Sequence, residues 1–308
     1  MRKGENQDEI MLNVISLNGQ SNTSGAVMLL GGFDGLHIGH RALVSRAKEM
    51  GTPVGIMTIV GCKDQPLFTF QEREEIFRLA GIDFVFELPF DEIKNLSPKE
   101  FINLLEKEFL PAGYVCGDDF RFGFKAQGTP NLLKEYTRVR VEIVKLLKLN
   151  GEKISSTAIK TLLKNGGIEK ANALLGEEFF LVSEVKKDRQ IGKTLGFPTA
   201  NMLYPTDKFP LKEGVYQTWA EIDGKTYKGI TNFGARPTFD NHDVCVETHF
   251  VEFDGDLYGK KIKLHFTRRM RDIQKFENVE QLKTQLEQDL QEICGNGEDD
   301  IQKNARNR

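Results

Sequence analysis

Hydrophobic and polar residues in the first half of the chain follow two repeating patterns. Short continuous apolar runs are typical of strands buried on both faces, whereas apolar residues three or four positions apart are typical of helices. The runs that predict strands are residues 11–17, 26–30, 53–60, 82–88 and 114–116, and the loosely alternating residues 139–144 predict one more strand. The helical spacing lies between them, at residues 39–50, 71–80 and 98–109. Alternating strands and helices predict a parallel α/β sheet that binds ligands at the carboxyl ends of its strands.

The second half of the chain has a different pattern, with short alternating strands and tight turns. Residues 216–222 and 226–231 are joined by Asp223-Gly224, which is typical of a β-hairpin. Because several such strands follow one another without helices, they predict a small antiparallel β-barrel, followed by one C-terminal helix after residue 278. The predicted organisation is an α/β domain at residues 1–177, a barrel domain with its helix at 178–294 and a tail at 295–308.

The composition excludes several classes of protein. The formal net charge is −3, from 42 basic and 45 acidic residues that are well mixed, so no bulk field favours nucleic acid or an anionic membrane. The four cysteines form no Cys-x-x-Cys pair, which suits a reducing compartment and argues against a disulfide scaffold. No apolar run approaches the length of a membrane span. We expect a cytoplasmic protein without nucleic-acid or membrane partners; whether it forms a homo-oligomer is left open.

The most informative segment joins the strand at residues 26–30 to the following helix. Gly31 and Gly32 allow the backbone to turn tightly and to approach a ligand without a Cβ in the way. His37 and His40 then flank the start of the helix, where free N–H groups and the helix dipole favour an anion. Both imidazoles can donate to phosphate oxygens, although two histidines that merely cap or pack the helix start are the structural alternative.

Two further polar segments are candidates for the same site. Residues 117–123 (GDDFRFG) come directly after a predicted strand, so they should share an edge of the sheet with the first motif. Asp119 is a candidate polar contact there, and an ordinary acidic loop is the alternative. Ser155, Ser156 and Thr157 begin a predicted helix, where hydroxyls cap free N–H groups and can also donate to phosphate.

A second candidate site lies in the barrel half, at residues 192–201 (GKTLGFPTAN). Thr199 and Asn201 offer neutral oxygen ligands two residues apart, so in an extended segment their side chains lie on the same face. Such oxygens suit Mg²⁺ that is bound to the phosphates of ATP. A hydroxyl-stabilised turn beside a proline is the structural alternative for this short segment.

Together these motifs resemble those of one known family, and they occur in its order. Residues 31–40 (GGFDGLHIGH) resemble the extended HxGH signature of the bacterial bifunctional riboflavin kinase/FMN adenylyltransferase (FAD synthetase) family. Residues 117–123, the ISST at 154–157, the GKTLGFPTAN at 192–201 and the NFGARPTF at 232–239 resemble its further motifs. The resemblance implies a Rossmann-like α/β nucleotidyltransferase domain followed by a small antiparallel β-barrel domain with a C-terminal helix.

The same resemblance implies roles for individual residues. His37 and His40 would stabilise charge on the α-phosphate of ATP while pyrophosphate leaves, and Glu247 would take the proton from the riboflavin hydroxyl that attacks the γ-phosphate. Asp119 and Arg271 would contact the flavin, and Thr199 and Asn201 would bind Mg²⁺ with ATP. The implied nucleotide-binding residues are Gly31, Gly32, Phe33, Asp34, Ser155, Ser156, Thr157, Lys160, Gly192 and Lys193.

The chain also departs from the family pattern in several places. Lys160 and Lys193 stand where the family has arginine, so the charge is kept but the planar fork is lost. The Pro-His-Pro segment that usually follows the second strand is missing at residues 59–64, and residues 184–191 lack the glycines of a flexible phosphate loop. The alternatives to a bifunctional enzyme that acts on riboflavin, FMN and ATP are an enzyme with only one of the two activities and a non-catalytic flavin-binding regulator.

Overall fold

The computed structural model describes residues 12–17, 25–61, 65–149, 151–187, 197–235 and 244–295 of the 308-residue chain. These residues belong to two compact units, Met1–Ala158 and Ile159–Arg308. The fold class predicted from the sequence is confirmed in both units, because the first contains a parallel α/β sheet and the second an antiparallel barrel followed by a helix.

The first unit is built on six described strands that form one parallel sheet. The strands are β1 Asn13–Ser16, β2 Val27–Leu30, β3 Val54–Val60, β4 Phe84–Pro89, β5 Gly113–Gly117 and β6 Arg140–Val144. They lie in the order β1-β4-β3-β2-β5-β6, and each pairs with its neighbours in the parallel sense. Strand β2 is buried along its whole length, as its continuous apolar run predicts.

Helices connect the strands of this sheet. Those described are α1 Ile38–Met50, α2 Phe70–Leu79, α3 Phe90–Ile93, α4 Pro98–Phe109 and α5 Pro130–Tyr136. Helix α4 begins at a capping box, in which Ser97 and Glu100 each bind the other's backbone N–H, with Pro98 in the first turn. Its buried face, which includes Phe101 and Leu105, packs into the core of the sheet.

The pairing of β2 with β5 brings two of the sequence motifs together. Leu30 at the end of β2 lies opposite Cys116 near the end of β5. Because parallel strands end at the same edge, residues 31–37 and 118–123 leave the sheet side by side. A short hairpin formed by β7 Lys148–Leu149 and β8 Glu152–Lys153 then leads to residues 154–157.

The second unit contains an antiparallel sheet that almost closes on itself. Its described strands are β9 Phe179–Glu184, β10 Ala200–Leu203, β11 Gly214–Ile222, β12 Lys225–Ala235, β13 Val244–Phe250 and β14 Lys261–Arg271. They lie in the order β10-β13-β12-β11-β14-β9. The two ends of this series meet beyond β9, where the N–H of Lys186 donates to the carbonyl oxygen of Asn201 at 2.8 Å. The predicted barrel is therefore confirmed.

Two short helices precede the barrel. They are α6 Ser156–Asn165, which spans the division between the units, and α7 Ile168–Leu175. Asn172 ties α7 to the barrel, because its Nδ2 donates to the carbonyl of Phe266 at 2.8 Å and its Oδ1 accepts from the N–H of Phe179 at 2.9 Å. The division between the two compact units, after residue 158, thus comes earlier in the chain than the predicted domain boundary at 177/178. That boundary between the two functional modules stays a prediction.

The C-terminal helix α8, Val279–Gly295, packs on the outside of the barrel. The barrel interior contains the buried hydroxyls of Thr218, Thr231 and Thr248, which form hydrogen bonds of 2.7 and 2.8 Å. The opposite face of the same strands carries Ile230, which packs with Ile293 of α8. None of the described helices is both long and apolar enough to cross a membrane.

Candidate active sites

The carboxyl edge of the parallel sheet borders a cavity of about 670 Å³. The predicted site residues that line it are Gly31, Gly32, Phe33, His37, His40, Asp119, Ser155 and Ser156. Asp34, Thr157 and Lys160 are not among the described residues that line it. Lys160 belongs to the second unit, where its Nζ lies 5.8 Å from the centre of the Phe209 ring. Three motifs that are far apart in the sequence thus meet at one cavity.

The two histidines of the first motif form a stacked pair. Their ring centres are 3.5 Å apart, and their planes differ by 15°. Nδ1 of His37 accepts from the backbone N–H of His40 at 3.1 Å and so caps α1, which leaves the proton of neutral His37 on Nε2. Nδ1 of His40 lies 2.9 Å from the carbonyl oxygen of Gly35, which can only accept, so neutral His40 carries its proton on Nδ1. The hydrogen bonds therefore make His37 Nε2 a donor and His40 Nε2 an acceptor.

Burial keeps both histidines neutral. Desolvation, and next the neighbouring His40, lower the pKa of His37 from 6.5 to about 3, while the charges of Asp34 and Asp119 partly offset this decrease. Desolvation lowers the pKa of His40 from 6.5 to about 4, and its hydrogen bond to Gly35 partly offsets that decrease. Neither ring brings a positive charge to the cavity near pH 7 before a ligand binds.

The glycine between the two histidines has a steric reason. A Cβ at Gly39 would lie 3.2 Å from both Cε1 and Nδ1 of His37. The His37 ring would have to shift to accept even alanine, and its capping bond to the backbone of His40 would shift with it. The spacing His-x-Gly-His thus keeps the His37 ring in contact with the helix start.

The other two motifs contribute charged and hydroxyl groups to the cavity. Asp119 accepts from Nζ of Lys153, with 2.5 Å between Oδ2 and Nζ, and both residues line the cavity. Ser155 Oγ accepts from the N–H of Ala158 at 3.2 Å and so caps the start of α6, while the side chain still borders the cavity. The capping role proposed as an alternative for Ser155 is therefore present together with its place in the site.

The remaining wall of this cavity comes from residues outside the motifs. Its apolar part includes Met57, Ile59, Phe90, Ile93, Phe101 and Leu146, together with Phe120 and Phe122 of the second motif. Its cationic side chains are Lys94, Arg121, Lys125 and Lys153. An apolar wall with cations beside a neutral histidine pair can hold an aromatic ring and phosphate groups at the same time.

A second cavity, of about 250 Å³, lies in the barrel unit between the outer face of the sheet and α8. The predicted residues Thr199, Glu247 and Arg271 line it. Its other lining residues are Phe197, Val215, Ile230, Asn232, His249, Ile273, Gln274, Phe276, Leu282 and Leu286. The two leucines belong to α8, so the helix forms one wall of this cavity.

A row of directly paired residues crosses five strands of the sheet beside this cavity. Asn201 is opposite Glu247, Glu247 is opposite Asn232, and Asn232 is opposite Val215. Val215 is in turn opposite Arg271. Directly paired residues of an antiparallel sheet project from the same face, so the row collects an amide, a carboxylate, a second amide and a guanidinium on the side of α8.

Thr199 and Asn201 are held close to each other at the start of this row. Nδ2 of Asn201 lies 3.3 Å from Oγ1 of Thr199, although only Thr199 is among the described residues that line the cavity. Within the described residues there is no group of three His, Cys, Asp or Glu side chains that could hold a metal ion by themselves. The neutral oxygens of Thr199 and Asn201 fit Mg²⁺ that takes its other ligands from phosphate. Gly192 and Lys193 lie outside the described residues.

Arg271 is engaged by the C-terminal helix. Its Nε and Nη2 donate to the two carboxylate oxygens of Asp289 at 3.0 and 2.6 Å, and Asp289 is buried. Gln285 also donates to this carboxylate at 3.0 Å. The side chain predicted to contact flavin thus lines the cavity and anchors α8, and its contact with flavin stays a prediction.

Comparison with known proteins decides the family. The family models for FAD synthetase and riboflavin kinase match residues 19–158 and 175–294, respectively. The bifunctional riboflavin kinase/FMN adenylyltransferase of Bacillus subtilis (strain 168) is 31% identical over 287 residues, which cover 87% of this chain and 91% of the relative. The protein of the same name from Escherichia coli (strain K12) is 33% identical over 88% of this chain and 92% of its own. The chain belongs to the bifunctional riboflavin kinase/FMN adenylyltransferase family.

A solved structure has the same fold as this family member. It is a crystal structure described as a macrolide-efflux protein from Streptococcus pneumoniae, with a TM-score of 0.83 and 28% sequence identity. The likeness covers 93% of this chain and all of that one. The two-domain fold class and the family predicted from the motifs are therefore both confirmed.

Sequence reasoning missed several residues that the structure brings to the two cavities. Lys153, Phe90 and Lys94 reach the first cavity from segments without a motif, and Asp289 reaches the Arg271 guanidinium from α8. His249 faces the second cavity, and its Nδ1 donates to the carbonyl oxygen of Pro198 at 2.9 Å. Its alternation with Glu247 along β13 was the only sequence signal for it.

Proposed function

We propose that this protein makes FAD from riboflavin in two ATP-dependent steps at two separate cavities. The barrel cavity would phosphorylate riboflavin to FMN, and the cavity at the parallel sheet would transfer AMP from ATP to FMN with release of pyrophosphate. The observation that carries the proposal is the meeting of the predicted motif residues at two cavities, one in each unit. Each cavity has both an apolar wall, which suits a flavin ring, and polar groups, which suit phosphates.

In the adenylylation step, an oxygen of the FMN phosphate attacks the α-phosphorus of ATP, and the bond to the leaving pyrophosphate breaks. His37 donates from Nε2 as a neutral group, because its Nδ1 is occupied by the N–H of His40. Gly31, Gly32 and the hydroxyls of Ser155 and Ser156 border the same space and supply further donors to phosphate oxygens. Since the nucleophile is already an anion, no strong base is required.

In the kinase step, Glu247 takes the proton of the ribityl 5′-hydroxyl as its oxygen attacks the γ-phosphorus of ATP and ADP leaves. Glu247 is half-buried and lies in the row between Asn201 and Asn232, which fixes its direction toward the cavity. Thr199 and Asn201 would hold Mg²⁺, which neutralises phosphate charge when it is bound. Leu282, Leu286 and Ile230 supply apolar surface for the flavin ring.

The use of ATP and the cysteine pattern both bear on where in the cell the protein works. ATP and scattered cysteines without a Cys-x-x-Cys pair favour the cytoplasm, and this remains part of the proposal together with the requirement for Mg²⁺. The small-molecule partners of the protein would be riboflavin, FMN and ATP.

The test is a chromatographic assay of the full chain with riboflavin or FMN and MgATP. The unmodified protein should convert riboflavin to FMN and then to FAD. Glu247→Gln should reduce FMN formation by about 10²–10⁴-fold, the usual effect of losing a general base, and should leave FAD formation from FMN unchanged. His40→Ala should abolish FAD formation and leave FMN formation unchanged. Equal loss of both products in either variant would contradict two sites, and the absence of one product from the unmodified protein would indicate a single activity.

A further inference from the structure

Lys153 is a cation of the adenylylation cavity that belongs to none of the sequence motifs. It ends β8, two residues before Ser155, and both residues line the cavity. Its ammonium group lies 2.5 Å from a carboxylate oxygen of Asp119. Lys153 therefore lies between the segment that follows β5 and the hydroxyls that precede α6.

The Lys153–Asp119 ion pair is easily broken. The side chains of Lys153 and Asp119 are 53% and 46% exposed, and ion pairs with such exposure contribute little to stability. Lysine carries its charge on a flexible four-carbon chain, so the ammonium can move without the backbone. A phosphate oxygen is a stronger acceptor for an ammonium than a solvated carboxylate, because hydrogen bonds between ions strengthen with charge.

The cavity also requires a cation near its hydroxyls. His37 and His40 are neutral near pH 7, since their pKa values are lowered to about 3 and about 4. The polyphosphate of ATP thus meets no charge from the histidine pair when it first enters. The other cations of the lining lie on different segments: Lys94 follows α3, where it pairs with Asp91 at 2.5 Å, and Arg121 and Lys125 follow β5.

We propose that Lys153 is a phosphate-binding residue of the adenylylation site, held by Asp119 in the free protein and transferred to a polyphosphate oxygen when ATP binds. The proposal rests on the proposed function, because it assigns a ligand to the same cavity. The exchange leaves the carboxylate of Asp119, which is predicted to contact the flavin, without its ammonium partner.

The experiment compares Lys153→Met with the unmodified full chain and with Lys148→Met. Lys148 is the matched control, because it faces Lys153 in the β7–β8 pairing, is exposed and does not line the cavity. Lys153→Met should raise the KM for ATP in FAD formation by about tenfold, the loss of one charged hydrogen bond. Lys153→Arg should restore most of the affinity, and Lys148→Met should stay within about twofold of the unmodified protein. FMN formation by the same variants checks that the barrel unit is folded, and circular dichroism of each variant checks that the first unit is folded.

A second variant tests whether Lys153 binds phosphate directly or only neutralises the negative charge of Asp119. If Lys153 contacts phosphate, Asp119→Asn combined with Lys153→Met should bind ATP as weakly as Lys153→Met alone. Recovery of the KM in the double variant would overturn the proposal, and so would an unchanged KM in Lys153→Met. Titration with the non-hydrolysable analogue α,β-methylene-ATP should give the same order of affinities. A different result would contradict the proposed function itself: an unmodified protein that forms no FAD at all.

Discussion

Arg271 at the end of β14 and Asp289 in the middle of α8 form a two-pronged ion pair, with 3.0 Å between Nε and Oδ1 and 2.6 Å between Nη2 and Oδ2. Asp289 is only 2% exposed. The same helix supplies Leu282 and Leu286 to the barrel cavity. A buried pair of charges therefore helps to hold a wall of the proposed riboflavin site against the barrel, together with the packing of Ile293 on Ile230.

Replacing Asp289 should weaken both the barrel unit and its flavin site. Asp289→Ala leaves the guanidinium of Arg271 without its buried partner, which typically costs about 3–5 kcal/mol. We expect the free energy of unfolding of the barrel unit to fall by about this amount in urea titrations followed by the fluorescence of the single tryptophan, Trp219. The KM for riboflavin should rise because α8 is held less firmly against the cavity.

A neighbouring ion pair on the same helix provides the control. Glu292 pairs with Arg268 of β14 at 2.8 Å, but the two side chains are 46% and 32% exposed. Glu292→Gln should therefore cost no more than about 1 kcal/mol and leave the KM for riboflavin unchanged. If the two substitutions had equal effects, burial of the Arg271–Asp289 pair would not be what holds the helix.

Nucleotide binding should be accompanied by proton uptake at His40. In the neutral ring Nε2 is an acceptor, so it cannot donate to a phosphate oxygen until a proton binds there. The nearby polyphosphate raises the pKa of His40 from about 4, whereas protonation of His37 on Nδ1 would break its cap on the backbone. Calorimetric titration of α,β-methylene-ATP at pH 6, in buffers of different ionisation enthalpy, should give an uptake of up to about one proton. His40→Asn should abolish this uptake, and an unmodified protein that binds the analogue without it would exclude the mechanism.

The same histidines should make the first unit less stable in acid. Because the pKa of each is lower in the folded protein than the unfolded value of 6.5, the unfolded chain binds more protons as the pH falls below 6.5, and stability decreases with it. The loss between pH 7.5 and pH 5 is about 2 kcal/mol for each histidine. Scanning calorimetry of the full chain should show a smaller acid-induced decrease in the His37→Asn/His40→Asn double variant, in which the asparagine introduced ahead of α1 can still cap that helix. Identical pH dependence of the two proteins would show that the buried pair is not responsible.

His249 should act as a positioning residue for the kinase step. Its Nδ1–H holds the carbonyl of Pro198, and the Phe197 ring lies edge-on at 5.4 Å, so the imidazole fixes the segment that carries Thr199. His249→Ala should raise the KM for MgATP in FMN formation by roughly three- to tenfold, as expected for one lost hydrogen bond. His249→Asn, whose amide can donate in place of Nδ1, should recover most of this loss, and FAD formation from FMN should not change. A KM for MgATP that is unaffected in His249→Ala would remove the positioning role.

The sequence predicted the elements of both units because their apolar patterns are simple. The continuous run at β2, the capping box of Ser97 and Glu100 and the Asp223-Gly224 turn each predict one local structure. The turn residues indeed have positive φ values of 51° and 78°. Strand ends in a parallel sheet meet at one edge, so the meeting of residues 31–40 with 117–123 also followed from the pattern.

The contacts that complete the two cavities could not be predicted in the same way. Lys153 and Asp119 are paired only because the β7–β8 hairpin folds back over the end of β5, and nothing in their local sequence indicates that partner. The prediction that Thr199 and Asn201 point the same way is consistent with their contact at 3.3 Å, but it did not show that Thr199 alone borders the described cavity. The sequence could place the charged side chain of Arg271 near the site. It could not identify the partner, Asp289, because that contact depends on how α8 packs against the barrel.

The row from Asn201 to Arg271 places strict limits on changes in strand length. Insertion of a single residue into β13 ahead of Val246 would turn the carboxylate of Glu247 into the barrel interior and bring the side chain of Val246 to the outer face. Additions at the turn of residues 223–224 leave the pairing of every strand in register. Over long periods, therefore, members with this barrel should vary in the lengths of their turns and keep the lengths of these five strands.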